Sequence, residues 1–270
     1  MMKQSDKIRI STTNTHELKS TSRRLPRFFW TLAGIVFLLL VWEIFARVFG
    51  SSLIFPGPLP VFKRFIALVP SRRFLDALAG SFIRVIAGIA IAVPLGIAAG
   101  IAAGLDKRFR YFLQPLFSVI SATPVISVIL IVFLFLGSGR TPVFTAFLMV
   151  FPVMASNVIE GIKNTDSRLK ELFISFRMSF GETLRYLYVP SIIPFILGGL
   201  RSSMSLCWKV VVAAEVIVQP LRSLGAGMQE AKTHLETPEL FAWTAGTVIA
   251  AAFVQEIITL LVRRYDWRKR

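Results

Sequence analysis

Apolar runs about twenty residues long recur along this sequence, and they constrain its fold more than any other feature. A bilayer core about 30 Å thick is crossed by roughly 20 helical residues, each adding about 1.5 Å. No water reaches that core to bond a bare backbone, so only helices or closed barrels cross it. Six runs meet the length: Phe28–Phe49, Ser81–Leu105, Pro115–Leu136, Thr141–Glu160, Pro190–Val218 and Leu240–Val262. The third carries no charged residue. The expected fold class is therefore all-α, a polytopic membrane protein of about six transmembrane helices. Composition agrees: 54% of residues are hydrophobic and 17% charged, whereas soluble domains hold about 45–50% and about 25%.

The segments between the runs are short and mostly polar. Residues 1–27 read as a flexible basic tail, and 28–49 as a first transmembrane helix. That run is too long for a cleavable signal and lacks a small-residue cleavage site. Residues 50–77 hold Pro56, Pro58 and Pro60, then Phe62, Phe65, Ile66 and Val69 at helical spacing, which predicts an outer loop with a short interfacial helix. In the second run Gly88, Ala92, Gly96, Gly100 and Gly104 recur every four residues. Such a strip of small side chains lets helices approach closely in lipid. Pro94 is expected to kink this helix. Gly137–Arg140 reads as a tight turn, 219–239 as a loop from its Pro220, Gly225 and Gly227, and 265–270 as a basic tail.

The formal net charge is +16. In a soluble protein this would point to nucleic acid. Here the basic clusters flank apolar runs, which marks cytoplasmic loops and contact with membrane lipid, with no nucleic acid partner expected. With both termini cytoplasmic, the inner segments carry 20 Lys and Arg and the outer ones nine. The basic 50–77 loop is the exception, being placed outside. Cys207 is the only cysteine, so no intrachain disulfide forms. The two histidines, His16 and His234, lie outside the runs, and no His/Cys cluster has metal spacing. There is no Gly-x-x-x-x-Gly-Lys-Ser/Thr; Gly137-Ser138-Gly139-Arg140 lacks the lysine. Energy must come from another polypeptide or an ion gradient. An intramembrane enzyme would need a catalytic constellation inside the spans, and neither a histidine nor a pair of aspartates occurs there.

Residues 161–189 form the most informative polar segment. Asp166 or Ser167 can cap a helix. Beyond them Leu169, Leu172, Phe173, Phe176 and Phe180 fall at spacings of three or four and make one apolar face. Arg168, Lys170, Glu171, Ser175 and Ser179 lie elsewhere. Both lipid contact and docking into a partner's groove fit such a helix.

At this point the chain resembles a family. It is similar, over roughly Phe74 to Arg264, to the permeases of binding-protein-dependent ABC importers in the nitrate/sulfonate/taurine branch. Glu171-Leu172-Phe173 occupies the place of the family's Glu-Ala-Ala, Arg177 falls where the family has glycine, and Val189-Pro190 with Pro194 matches its proline step. Gly199-Leu200-Arg201, Trp208 and Ala214-Glu215 resemble the branch's next helix, beyond that step. The resemblance implies a type I ABC importer permease fold, a core over 78–264, and a coupling helix within the loop 161–189. It implies that Leu169, Glu171, Leu172, Phe173, Phe176, Arg177 and Gly181 shape the docking of an ATPase. It further implies a homodimer of permeases, ATP-binding cassette ATPase subunits that hydrolyse ATP, an extracytoplasmic substrate-binding protein, and a place in the inner or plasma membrane. It implies too that no cofactor or metal is bound by this chain and that the chain is not itself an enzyme. The implied substrate is a small anion such as nitrate, sulfonate or taurine. Because Arg177 replaces glycine, the break after the coupling helix is expected to move to Gly181, or the helix to run on.

Charges within the runs are costly, at about 2.5–3.5 kcal/mol each at the bilayer centre. Glu43, Arg201, Lys209, Glu215 and Glu256 lie in or near spans, and Glu43 and Glu256 are close enough to the ends to snorkel. Arg201 and Lys209, eight residues apart, share a helix face; Glu215 lies off it. Either the two cations line a translocation path and favour anions, or they pair with Glu43, Glu215 or Glu256. Pairing is the expectation. A secondary transporter or channel is the alternative to the importer. It would show an internal repeat or mid-span carboxylates for ion coupling. No repeat is visible, and Glu215 alone is thin support.

Overall fold

A computed structural model describes residues 27–267. Every element in them is helical. Two units separate at Trp42/Glu43 and are taken in turn. The first contributes most of α1 (Arg27–Phe49), a helix long and apolar enough to cross a membrane. The expected tail 1–27 lies outside the described residues apart from Arg27. Of the tail 265–270, residues 265–267 continue the last helix and the rest lie outside.

The second unit opens with α2 (Pro58–Leu68), the helix predicted within 50–77. Pro58 sits in its first turn, where a missing N–H costs nothing. Next comes α3 (Arg72–Leu105), whose N-cap Ser71 accepts a hydrogen bond from the N–H of Phe74 at 3.2 Å. The helix thus starts nine residues before the expected Ser81, and the expected boundary at 77/78 falls inside it. Polar Arg72, Arg73 and Asp76 obscured that start.

The expected third span, Pro115–Leu136, is not one helix. Its first part belongs to α4 (Lys107–Ala122) and its second to α5 (Val125–Lys163), with Thr123 extended between them (φ −77°, ψ 129°). Pro124 forces this, since a residue before proline is pushed out of the helical region. The predicted turn at Gly137–Arg140 shrinks to one residue. Gly137, at φ 68° and ψ 177°, breaks α5, and the helix resumes at once. That conformation is open essentially to glycine alone.

Packing shows how these pieces are laid out. Phe117 of α4 meets Phe151, with ring centroids 5.7 Å apart, and Leu113 packs with Ile159. Ile129 packs against Ala214 and Val218 at the end of α8 (Val189–Val218), while Ile162 packs against Ile192 at its start. Residues 113–136 therefore run the length of α8 in one direction, and 138–163 run back. Among the described residues five helices are individually long and apolar enough to span. Because α5 makes the end of one traverse and all of the next, about six crossings are built from five such helices plus α4.

The helix leading into α8 also starts early. Ser179 caps α7 (Phe180–Thr183) in a capping box with Glu182, and a π-turn over Leu184–Tyr188 joins it to α8. Pro190, the expected start, has no N–H to give the carbonyl four residues back, and the wider π-turn lies immediately before it. The expected loop 219–239 contains α9 (Leu224–Thr233), capped by Ser223. Then α10 (Thr237–Trp267) closes the bundle. The core lies between α3, α5 and α8, with Val85, Ala92, Val150, Cys207 and Val211 fully buried.

Candidate functional site

At one end of the bundle the α5–α8 connection carries α6 (Ser167–Ser175). Of the two capping candidates, Asp166 is the one used: its carboxylate accepts from the N–H of Arg168 at 2.8 Å. No residue of α6 is buried. Leu169 and Leu172 are about half exposed, Ile174 is 75% exposed and Phe176 72%, while Phe173 is half-buried. Uncompensated apolar exposure on this scale marks an interaction surface. Ile174 was absent from the expected face. The helix ends one residue later, so Ile174 and Phe176 stand together at the tip.

The break after α6 is a correction. It does not move to Gly181, which lies inside α7, and the helix does not run on. Arg177 itself takes the left-handed conformation, at φ 49°. Phe176 closes the helix with its N–H on the carbonyl of Leu172 at 3.0 Å, and the N–H of Met178 reaches the carbonyl of Phe173 at 3.1 Å. This turn keeps its shape with an arginine at the glycine position, at a local cost of roughly 1–2 kcal/mol.

The small-residue strip of α3 faces α5. An added Cβ would lie 3.0 Å from the Cβ of Ala146 at Gly88, 2.8 Å from that of Met154 at Gly96, and 2.6 Å from that of Val158 at Gly100. At Gly104 it would come within 2.5 Å of Ile162. Ala92 is fully buried in the same row.

The charges inside the spans do not pair as expected. Glu215, fully buried, is held by Arg84, whose Nη1 donates to its Oε1 at 3.0 Å. The Ser81 hydroxyl donates to Glu215 Oε2 at 2.7 Å and the N–H of Gly225 at 3.3 Å. Arg84 also donates to the carbonyls of Leu221 and Arg222, at 2.7 and 3.1 Å. The cluster straps the loop 219–223 to α3. In that loop Gln219 and Arg222 have positive φ, and the carbonyl of Arg222 lies against Gly80, where a Cβ would come within 2.0 Å. Glu43 is bonded by Arg47 at 2.8 Å. Among the described residues no carboxylate lies within ion-pair reach of Arg201 or Lys209, and no Lys or Arg within reach of Glu256. Arg201 and Lys209 are exposed on one face of α8, with half-exposed Ser205 between them. Beside them Gln255 of α10 donates to the carbonyl of Arg201 at 3.3 Å. On the α6 side, α4 and α5 enclose a cavity of about 680 Å³ lined by Gln114, Ser118, Ser121, Ser156 and Glu160.

The opposite end carries ion pairs that the chain order did not reveal. Arg64 of α2 bonds Glu239 and Glu236, the latter at 3.3 Å. The Glu239 hydrogen bond is the main reason the Arg64 guanidinium pKa lies above its usual value. Arg73 pairs with Glu230 and stands over the Trp243 ring, 5.6 Å from its centroid. Two of the four basic residues of the 50–77 segment are thus neutralised within the protein.

Helices of spanning length, one of them broken at Gly137, with an exposed amphipathic helix in one connection, make this a polytopic membrane protein. Sequence comparison gives the family. Residues 92–270 match the binding-protein-dependent transport system inner membrane component, and the chain belongs to that family. It is 28% identical over 249 residues to the taurine transport system permease protein TauC of Escherichia coli, covering 90% of each chain. It is 27% identical to the bicarbonate transport system permease protein CmpB of Synechococcus elongatus, covering 94% of this chain and 92% of that one. To the putative aliphatic sulfonates transport permease protein SsuC of Bacillus subtilis it is 24% identical, covering 99% and 98%. The fold matches a crystal structure of an amino acid ABC transporter, with a TM-score of 0.61 at 18% identity over 74% of this chain and 98% of that one. The chain is a transmembrane permease subunit of an ABC importer and works with ATPase and binding-protein partners.

Proposed function

We propose that this permease carries a small oxyanion or sulfonate, along a path lined by the Arg201–Ser205–Lys209 face of α8. One observation carries the anion assignment. Arg201 and Lys209 are cations in a spanning helix that are exposed and lack a carboxylate partner among the described residues. Facing lipid, each would cost about 2.5–3.5 kcal/mol. Facing a water-filled path, they offer an anion a place to pass. Taurine, bicarbonate and aliphatic sulfonates, the solutes in the relatives' names, share a small anionic group. A formylaminopyrimidine permease is also a relative, so selection rests mainly with the binding protein. In this reading two copies pair around the path, both termini are cytoplasmic, and ATP is hydrolysed by the ATPase that grips α6. ATP binding there shifts the permease between its inward-open and outward-open states.

The test is uptake into vesicles holding the permease, its ATPase and its binding protein. Lys209→Gln should cut anion uptake about tenfold, the loss of one charge-assisted contact of roughly 1.4 kcal/mol. Phe176→Asp should release the ATPase and leave the helices folded. Uptake that continues with no ATPase present overturns the importer reading. Unchanged uptake in both Lys209→Gln and Arg201→Gln overturns the anion path.

A further inference from the structure

Between α3 and α10 the bundle surface carries a groove of about 550 Å³. Among the described residues no charged or hydroxyl side chain lines it. Leu75, Ala79 and Phe82 form one wall, and Ile249, Phe253 and Ile257 the other. Leu75 is 51% exposed and Phe253 67%. At Gly246 α10 packs closely on α3, since a Cβ there would sit 2.7 Å from the Phe74 ring. From Gly246 to Ile257 the groove follows α10 for about 16 Å at 1.5 Å per residue. That is close to one leaflet, half of a hydrocarbon core about 30 Å thick.

At the α2 end of this groove stands Arg72. It lies on the same face of α3 as Leu75 and Ala79, three and seven residues on. It is exposed, and among the described residues no carboxylate lies within ion-pair reach of it. Its neighbours differ in this respect, since Arg64 and Arg73 are both paired. Asp76, one turn further along, lines a separate polar cavity beside Arg222. Phe65 of α2 and Val69 just past its end line the groove, while Phe62 and Ile66 are exposed beside it. An amphipathic helix of this kind lies at the level of lipid headgroups.

We propose that this groove binds one acyl chain of an anionic phospholipid, with the lipid phosphate held by Arg72. The wall chemistry, the one-leaflet length and an unpaired cation on the groove's own face of α3 match the two parts of that ligand. The site is independent of the transported substrate and of α6. It requires only that these helices lie in a bilayer.

Photolabelling of the full permease in nanodiscs tests the assignment. The probes are phosphatidylglycerol with a diazirine midway along one acyl chain, and a diacylglycerol with the same chains and no phosphate. Phosphatidylglycerol should label peptides spanning 75–82 and 249–257. Arg72→Gln should lower that labelling about fivefold, the worth of one basic residue near a lipid surface, and leave diacylglycerol labelling unchanged. Ala79→Phe should block both probes by filling the groove. If that variant fails to fold, Ile249→Trp on the other wall supplies the same readout. Labelling spread evenly over all membrane-facing helices overturns the site, as do crosslinks from the groove to a helix of a second copy. Phosphatidylglycerol labelling that ignores Arg72→Gln overturns the phosphate contact.

Discussion

Replacing Glu215 with glutamine is the sharpest probe of how the α8 end is held. The side chain is fully buried and accepts three hydrogen bonds, from Ser81, Arg84 and Gly225. Glutamine keeps the shape, removes the charge and turns one acceptor into a donor. Breaking a buried ion pair by changing one partner costs about 3–5 kcal/mol. The Arg84 side chain keeps 15% exposure and two loop carbonyls as acceptors, so Glu215→Gln belongs at the low end, near 3 kcal/mol. Arg84→Gln leaves the carboxylate as the orphan, with only Ser81 and Gly225 donating, and belongs at the upper end. At about 2–4 °C per kcal/mol for a chain of this size, Glu215→Gln should lower the melting temperature by about 6–12 °C. Thermal unfolding of the detergent-solubilised permease reads this directly. Hydrogen exchange should rise first in residues 219–226, which the cluster straps down. The double variant Arg84→Met/Glu215→Met should recover most of the loss, because an apolar pair leaves no buried charge alone. Single variants within about 2 °C of the parent, or losses that add in the double variant, would refute the reasoning.

Two further outcomes concern backbone conformation and close packing. Arg177→Gly should slow hydrogen exchange across 174–179 by relieving a left-handed arginine, a gain of up to about 1 kcal/mol after the greater freedom of unfolded glycine is counted. Faster exchange in that variant would mean the turn is held by the arginine side chain. Gly100→Leu should destabilise by about 1–3 kcal/mol through overpacking, since its Cβ would fall 2.6 Å from that of Val158 and 2.8 Å from the carbonyl oxygen of Ala155. Gly198→Ala is the matched control. Nothing lies within 4 Å of its Cβ position, and alanine should raise the melting temperature slightly through helix propensity.

Glycine shows where reading along the chain stops. In α3 the four-residue spacing of small residues marked a close helix contact, because periodicity is itself a statement about one face. Gly225 and Gly227 carried no such spacing and read as loop. The structure puts both in α9, where a Cβ would meet the Val216 N at 2.4 Å and the Trp243 ring at 2.7 Å. They are small because neighbours press on them. Arg177 shows the reverse. Its residue type argued against a break that the fold places there, since the surrounding helix caps set the turn.

The helices, the solvent they live in and the amphipathic finger of α6 were all legible in the order of residues. Those properties depend on runs and periods along the chain, and backbone bonding in lipid leaves a long apolar run no option but to coil. Which carboxylate meets which cation was settled by helix packing. Glu215 lies 131 residues from Arg84 and finds it across two helices, while Arg201 and Lys209, nearer in sequence, have no carboxylate partner among the described residues. Local hydrogen bonding fixes a helix within a few residues. The choice of a charge's partner depends on how helices pack after they form, and no period along the chain records it.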